Sequence, residues 1–205
     1  KQWGSTGDSE QAYFSGLGSH DPSLVQPYVQ AVSTYLRFHH IITGSQPDVV
    51  DLGCGDFDVG LQIRPFCNNY TACDIVAPVI AWCKEKYADL NVTFKEVDML
   101  TDPLPDGDIL FLRQVLQHLS NDQISTVLKK ISNKYRFIVL TEHIPAHHNF
   151  TPNVDKAIGA NIRLDQNSGV VITQAPFSIT PVETLMICTT AGYGGVLRTD
   201  IYRMY

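Results

Sequence analysis

Apolar positions along the chain follow two periods in turn. Leu24, Val25, Tyr28, Val29, Val32, Tyr35 and Leu36 recur with the spacing of one helix face. Asp21 can accept from the open amides of that helix, and Pro22 sits where a missing N–H is no loss. The helix is predicted to end near His39-His40, before the turn residues from Gly44 to Pro47. Short apolar runs then predict strands at residues 49–52, 70–74, within 92–97, at 109–112 and at 137–140. The run at 109–112 has no polar member, as expected of a strand covered on both faces. Helical patterns lie between the runs: over residues 57–66, over 76–87 with Val79, Ile80 and Cys83 on one face, and from Asn121 or Asp122 onward. The last carries the stripe Ile124, Val127, Leu128 and Ile131. Strands alternating with helices predict right-handed crossovers and an α/β fold built on a mostly parallel sheet.

The alternation stops after the fifth strand. Over residues 144–176 prolines, asparagines and glycines interrupt the apolar patches, which marks a specialised segment. Two late strands, over residues 182–190 and 196–205, are joined by Ala191-Gly192-Tyr193-Gly194-Gly195 and predict a hairpin. At the other end, residues 1–20 carry glycines at 4, 7, 16 and 18 among Trp3, Tyr13, Phe14 and Leu17. This composition suits an arm or a lid, with residues 21–205 forming a single domain.

Chemistry concentrates behind the first strand. In Val49-Val50-Asp51-Leu52-Gly53-Cys54-Gly55 a β-branched strand runs into two glycines that let backbone approach a ligand. The dinucleotide fingerprint is excluded, because its third glycine would fall at Asp58 and Asp51 would oppose a pyrophosphate. Asp51-Leu52-Gly53-Cys54-Gly55 instead resembles the first motif of the class I S-adenosylmethionine-dependent methyltransferases.

The resemblance runs from about residue 21 to the end. It implies a Rossmann-like seven-stranded methyltransferase fold, mostly parallel, with a C-terminal antiparallel hairpin. It also implies S-adenosylmethionine as cofactor and S-adenosylhomocysteine as product. On this reading Gly53 and Gly55 pass under the methionine portion and Asp51 helps hold its ammonium group. The family often has a small residue where Phe57 stands, so that ring must turn away from the cofactor. Asp74, ending the second strand, can accept from both ribose hydroxyls. Asp98 then reads the adenine amino group and Met99 lies against the ring. Arg113 and Gln114, just past the fourth strand, approach the methionine side, and His118 lies near the reaction crevice. If Gln114 and His118 belong to one helical turn, they share a face.

Methyl transfer to an alcohol or phenol needs a base, and two histidines are candidates. One is His118. The other is His143, expected immediately beyond the fifth strand, where Glu142 would orient it. Glu142, His143, His147 and His148 have ligand chemistry, but Pro145 breaks the helix that would gather them, so no metal is expected. Arg163 can recognise an acceptor carboxylate or phosphate, or just as readily make a structural ion pair. The acceptor is taken as a small molecule, with O-methylation favoured over N- or C-methylation because histidines cluster near strand ends.

Charge and cysteine content narrow the partners. A net charge of −6 and a pI near 5.5 supply no counter-charge for a phosphate backbone. The segment after the fourth strand also lacks the Asn/Asp-Pro-Pro-aromatic signature of nucleic-acid amine methylation, so no nucleic-acid partner is expected. Five cysteines with no C-x-x-C pair predict free thiols in a reducing compartment, hence a cytoplasmic location. No apolar run reaches membrane-spanning length. Two other classes fit parts of the pattern. A noncatalytic S-adenosylmethionine or nucleoside-binding domain would keep Asp74 and Asp98 without an acceptor cavity. A different nucleotide-binding enzyme would bind NAD tightly and ignore S-adenosylmethionine.

Overall fold

The structure, a computed structural model, describes residues 13–205. Trp3 and the rest of the predicted arm up to residue 12 lie outside the described residues. Tyr13 onward leads into a one-turn helix α1 (Leu17–His20) and the long helix α2 (Pro22–Thr43). The glycine content of residues 1–20 argues against regular helix, yet α1 forms there as a single turn. Asp21 caps α2 by accepting from the Ser23 amide at 2.9 Å. The helix runs past His40 to Thr43 because it stops only where Gly44 turns left-handed, φ 78°.

The alternating region follows the predicted order: β1 (Val49–Leu52), α3 (Asp58–Ile63), β2 (Tyr70–Asp74), α4 (Ala77–Lys86), β3 (Thr93–Glu96), β4 (Ile109–Arg113), α5 (Asn121–Ile131) and β5 (Phe137–Pro145). Ser120 and Gln123 close a capping box at the start of α5. Strands β6 (Glu183–Gly192) and β7 (Gly195–Arg203) form the hairpin. Its connection is tighter than the five-residue loop expected, with only Tyr193 and Gly194 between the strands. Both have positive φ, as a type I′ turn requires.

The seven strands are ordered β3-β2-β1-β4-β5-β7-β6. Neighbours from β3 to β5 pair in parallel, and β7 runs antiparallel to both β5 and β6. This is the seven-stranded methyltransferase-type sheet that the sequence predicts. Strand β5 is five residues longer than expected, because β7 pairs with it continuously from Phe137 to Pro145. Glu142 and His143 therefore lie inside a strand and not beyond it.

Alternate residues of each strand feed two cores. On one face Tyr70, Ala72, Phe111, Val139 and Ile201 meet α2, α3 and α4 through Tyr28, Val32, Leu36, Phe57, Ile63, Ile80 and Cys83. On the other, Val50, Leu52, Leu110, Leu112, Ile138 and Leu140 meet α5 and, from the 144–176 segment, Val170 and Ile172. That segment is ordered around buried Asn153. Its side chain donates to the carbonyls of Val171 and Ala175 and accepts from the Val171 amide.

Candidate active site

The order of strands reverses between β1 and β4, one continuing outward to β2 and the other to β5. Crevices in open α/β sheets form at the carboxyl ends of strands at such a point. Every residue expected to hold a cofactor lies toward that edge: Asp51 near the end of β1 with Gly53 and Gly55 after it, Asp74 at the end of β2, Asp98 and Met99 after β3, Arg113 at the end of β4 and Gln114 just past it.

The turn after β1 is fixed by backbone stereochemistry. Gly53 and Gly55 have φ of 84° and 55°. A Cβ on Gly53 would collide with Val115, and one on Gly55 with the hydroxyl of Ser15. The amides of Gly53 and Cys54 both donate to the Cys73 carbonyl, at 2.8 and 2.9 Å. Phe57, also left-handed at φ 66°, carries its ring into the core, packing edge-to-face with Tyr70, Tyr87 and Phe94. The bulky residue at the family's small position is thus turned away from the crevice, as required.

Two carboxylates flank this turn. Asp51 accepts from the Tyr70 hydroxyl at 2.9 Å, and burial pushes its pKa up to about 6 against the pull of that bond and of Arg113. Asp74 accepts from the Gly55 amide at 3.0 Å and from the Val76 amide at 3.0 Å, so it is tied to the turn it faces. Burial raises its pKa, and these amides oppose the shift. Asp98 accepts from the Leu100 amide at 2.8 Å, and Met99 packs partly into the core beside α5.

Residues 13–20 lie across the turn. Ser15 and Asp56 exchange two bonds, Ser15 amide to carboxylate at 3.0 Å and Asp56 amide to hydroxyl at 2.8 Å. His20 joins the same carboxylate at 2.6 Å. Arg113 donates to the Gly18 carbonyl at 2.6 Å and stacks over Tyr28, while its buried Nε finds no partner among the described residues. What remains beneath is a cavity of about 30 Å³ lined by Asp51, Gly53, Ser19, Tyr28 and Arg113 among others. Sequence reasoning missed Ser15, His20 and Asp56; only the charge of Asp56 beside the glycines pointed to it.

The segment after β4 differs from its expected form. Gln114 takes a left-handed φ of 57°, and residues Leu116–His118 make a 3₁₀ turn, so Gln114 and His118 share no α-helical face. His118 Nδ1 lies 3.2 Å from the Gly159 carbonyl, which can only accept, so the proton is assigned to Nδ1. Its Nε2 faces the Gln117 amide nitrogen at 3.4 Å. Burial lowers the pKa of His118, leaving it neutral at pH 7.

His143 is buried in β5 with Nε2 3.0 Å from the Gly192 carbonyl, and burial lowers its pKa too. Glu142 cannot orient it, because adjacent strand residues point to opposite faces. The Glu142 carboxylate instead accepts from the amides of Leu116 and Gln117, at 2.9 and 3.0 Å. The same alternation keeps Glu142 and His143 from sharing a metal, and among the described residues no three His, Cys, Asp or Glu side chains form a metal-holding group. Arg163 is buried with its guanidinium bonded to protein carbonyls, so it does not face an acceptor. All five cysteines are free. Among the described residues no helix is long and apolar enough to cross a membrane.

Residues 49–136 match the family model described as a methyltransferase domain. No curated protein matches the sequence. Solved structures share the fold. The N-methyltransferase NodS from Bradyrhizobium japonicum WM9, in complex with S-adenosyl-l-homocysteine, is 14% identical. It superposes with a TM-score of 0.59, covering 84% of this chain and 86% of that one. The N-terminal domain of EvdMO1, solved in the presence of S-adenosylhomocysteine and D-fucose, is 14% identical with a TM-score of 0.59, covering 86% and 84%. Magnesium protoporphyrin IX methyltransferase from Synechocystis PCC 6803, with bound S-adenosylmethionine, is 16% identical with a TM-score of 0.52, covering 85% and 79%.

Proposed function

We propose, from the premise that the chain belongs by fold and by its match over residues 49–136 to the class I S-adenosylmethionine-dependent methyltransferases, that it methylates a small-molecule acceptor. The observation that carries this reading is the left-handed Gly53–Gly55 turn, with half-buried Asp51 below it and Asp74 bonded to its Gly55 amide. Its chemistry fits the cofactor: a backbone cradle that a Cβ would fill, carboxylates for an ammonium and a ribose, and a buried guanidinium with an unused donor. When bound, S-adenosylmethionine supplies a methyl group activated by a sulfonium.

The chain's own residues then bind and orient. Asp51 takes the ammonium and Arg113 the carboxylate of the amino-acid portion, with Gly53, Gly55 and Gln114 around it. Asp74 accepts from the ribose hydroxyls, Asp98 from the adenine amine, and Met99 supports the ring. His118 holds its proton on Nδ1, with Nε2 beside the Gln117 amide, and being half-buried at the end of the turn after β4 it is the better base candidate for an O–H acceptor than His143. His143, buried beneath the hairpin, supports structure. Residues 13–20 act as a lid: Ser15 and His20 bond Asp56 and the Gly18 carbonyl accepts from Arg113, so they lift to free Arg113 and the Gly53–Gly55 turn for the cofactor.

The proposal is tested by titration calorimetry with S-adenosylmethionine and S-adenosylhomocysteine, followed by mass analysis of metabolite pools for the gain of one methyl group. Binding of both, with a methylated oxygen in the product, is expected. Tight binding of NAD and no response to either compound would reassign the crevice.

A further inference from the structure

The turn that carries His118 is gripped at both ends by buried polar side chains from elsewhere in the fold. Leu116–His118 is a single 3₁₀ turn and cannot satisfy its own terminal amides and carbonyls. At its start the Glu142 carboxylate, from β5, accepts from the Leu116 and Gln117 amides. At its end the Arg163 guanidinium, from the 144–176 segment, donates to the Gln117 carbonyl at 3.1 Å and the Leu119 carbonyl at 2.8 Å. The same guanidinium reaches Asn121 Oδ1 at 3.0 Å and the Val154 carbonyl at 2.9 Å. A carboxyl group accepts at the amide end and a guanidinium donates at the carbonyl end, while burial pushes the Glu142 pKa up to about 8, so the grip at the amide end is one of hydrogen bonds rather than of charge. Both side chains are buried, Arg163 at 1% exposure and Glu142 at 3%, so water does not compete for these bonds.

We propose that Glu142 and Arg163 are positioning residues that fix the 114–119 turn, and with it Gln114 and His118, at the rim where acceptor meets cofactor. The inference rests on the crevice being the S-adenosylmethionine site. It gives the 144–176 segment a task different from acceptor recognition. Its Arg163, Asn153 and the Val154 carbonyl form a brace behind the turn, while Lys156 and Gly159 touch His118 from the side, through the His118 carbonyl at 3.2 Å and the ring Nδ1.

The test compares the full chain with Arg163→Met, Arg163→Lys and Glu142→Gln by residue-resolved amide exchange and by NMR titration of the His118 ring. Arg163→Met is expected to speed exchange of the amides in residues 115–119 by about tenfold or more, with the amides of β1 and β4 still protected. The His118 titration should move with it, toward the ordinary histidine value. Arg163→Lys keeps the charge but reaches fewer carbonyls, so it falls between wild type and Arg163→Met. Unchanged exchange in the turn would overturn the proposal, as would uniform acceleration across the sheet, which marks a role in overall stability alone. Where Arg163→Met fails to fold, Glu142→Gln, which can accept only one of the two amides, is read by the same outcomes. Calorimetry of the wild type with S-adenosylhomocysteine is run alongside. Its failure would remove the cofactor reading and leave the exchange result to decide the brace.

Discussion

Two turns close the crevice, one after β1 and one after β4, and they are held in different ways. The first is held by its own stereochemistry: two left-handed glycines whose amides reach the neighbouring strand end at Cys73 and Asp74. The second has no such local code. Its partners lie 26 positions away at Glu142 and 46 positions away at Arg163, and both are buried. A turn of the first kind is robust to change elsewhere in the chain. A turn of the second kind moves with whatever moves its braces.

The largest effect that separates them is expected at Arg163. Arg163→Met leaves the buried and part-buried carbonyls of Val154, Gln117 and Leu119 without their donor, so at about 1–3 kcal/mol for each unsatisfied group it should lower folding stability by about 3 kcal/mol or more. Urea denaturation reads that loss from the midpoint. At the first turn, Asp74→Ala should lower the urea midpoint less, since only the Gly55 and Val76 amides lose a partner and the Cys73 carbonyl still holds the Gly53 and Cys54 amides. It should weaken S-adenosylhomocysteine binding by about 1.5–3 kcal/mol, the worth of hydrogen bonds to a charged acceptor. Equal losses of stability in these two variants would erase the contrast between the turns.

Gly53→Ala sits where the two turns touch, since its Cβ would strike Val115 and its φ is 84°. Strain of this kind costs about 1–3 kcal/mol. A midpoint equal to wild type would mean that the contact yields freely. The smallest effect is that of pH. Burial raises the Asp51 pKa to about 6, and an arriving ammonium favours the ionised carboxylate. Protonation below that value removes the partner. Affinity for S-adenosylmethionine should therefore hold above pH 6 and fall by up to about 1.4 kcal/mol per pH unit below it. Asp51→Asn should flatten that dependence, and an unaltered profile in the variant would take Asp51 out of the site.

The same contrast explains how far the sequence could be read. The succession of strands and helices, helix starts at Asp21 and near Ser120, and the place of Asp51, Asp74 and Arg113 toward strand ends follow from short apolar runs, capping residues and glycines, which are local signals. The length of β5 was not legible, because Phe137 to Pro145 is strand only through pairing with β7. That one error misplaced Glu142 as a partner of His143, when strand alternation sends it to the opposite face. Arg163 could be read either as an acceptor-recognising cation or as one side of a structural ion pair, because a lone arginine in an irregular segment does not reveal that carbonyls of residues 116–119 will surround it. The contact of Ser15 and His20 with Asp56 is likewise tertiary and leaves no periodic trace.

A crystal structure of the chain with S-adenosylhomocysteine tests the central claim most directly. The account predicts the ribose hydroxyls on Asp74, the amino group on Asp51, the backbone of Gly53 to Gly55 against the ligand, and residues 13–20 shifted from their place over the turn. A ligand bound away from the carboxyl ends of β1 and β2, or a crevice still roofed by Ser15 with no ligand at saturating concentration, would contradict it.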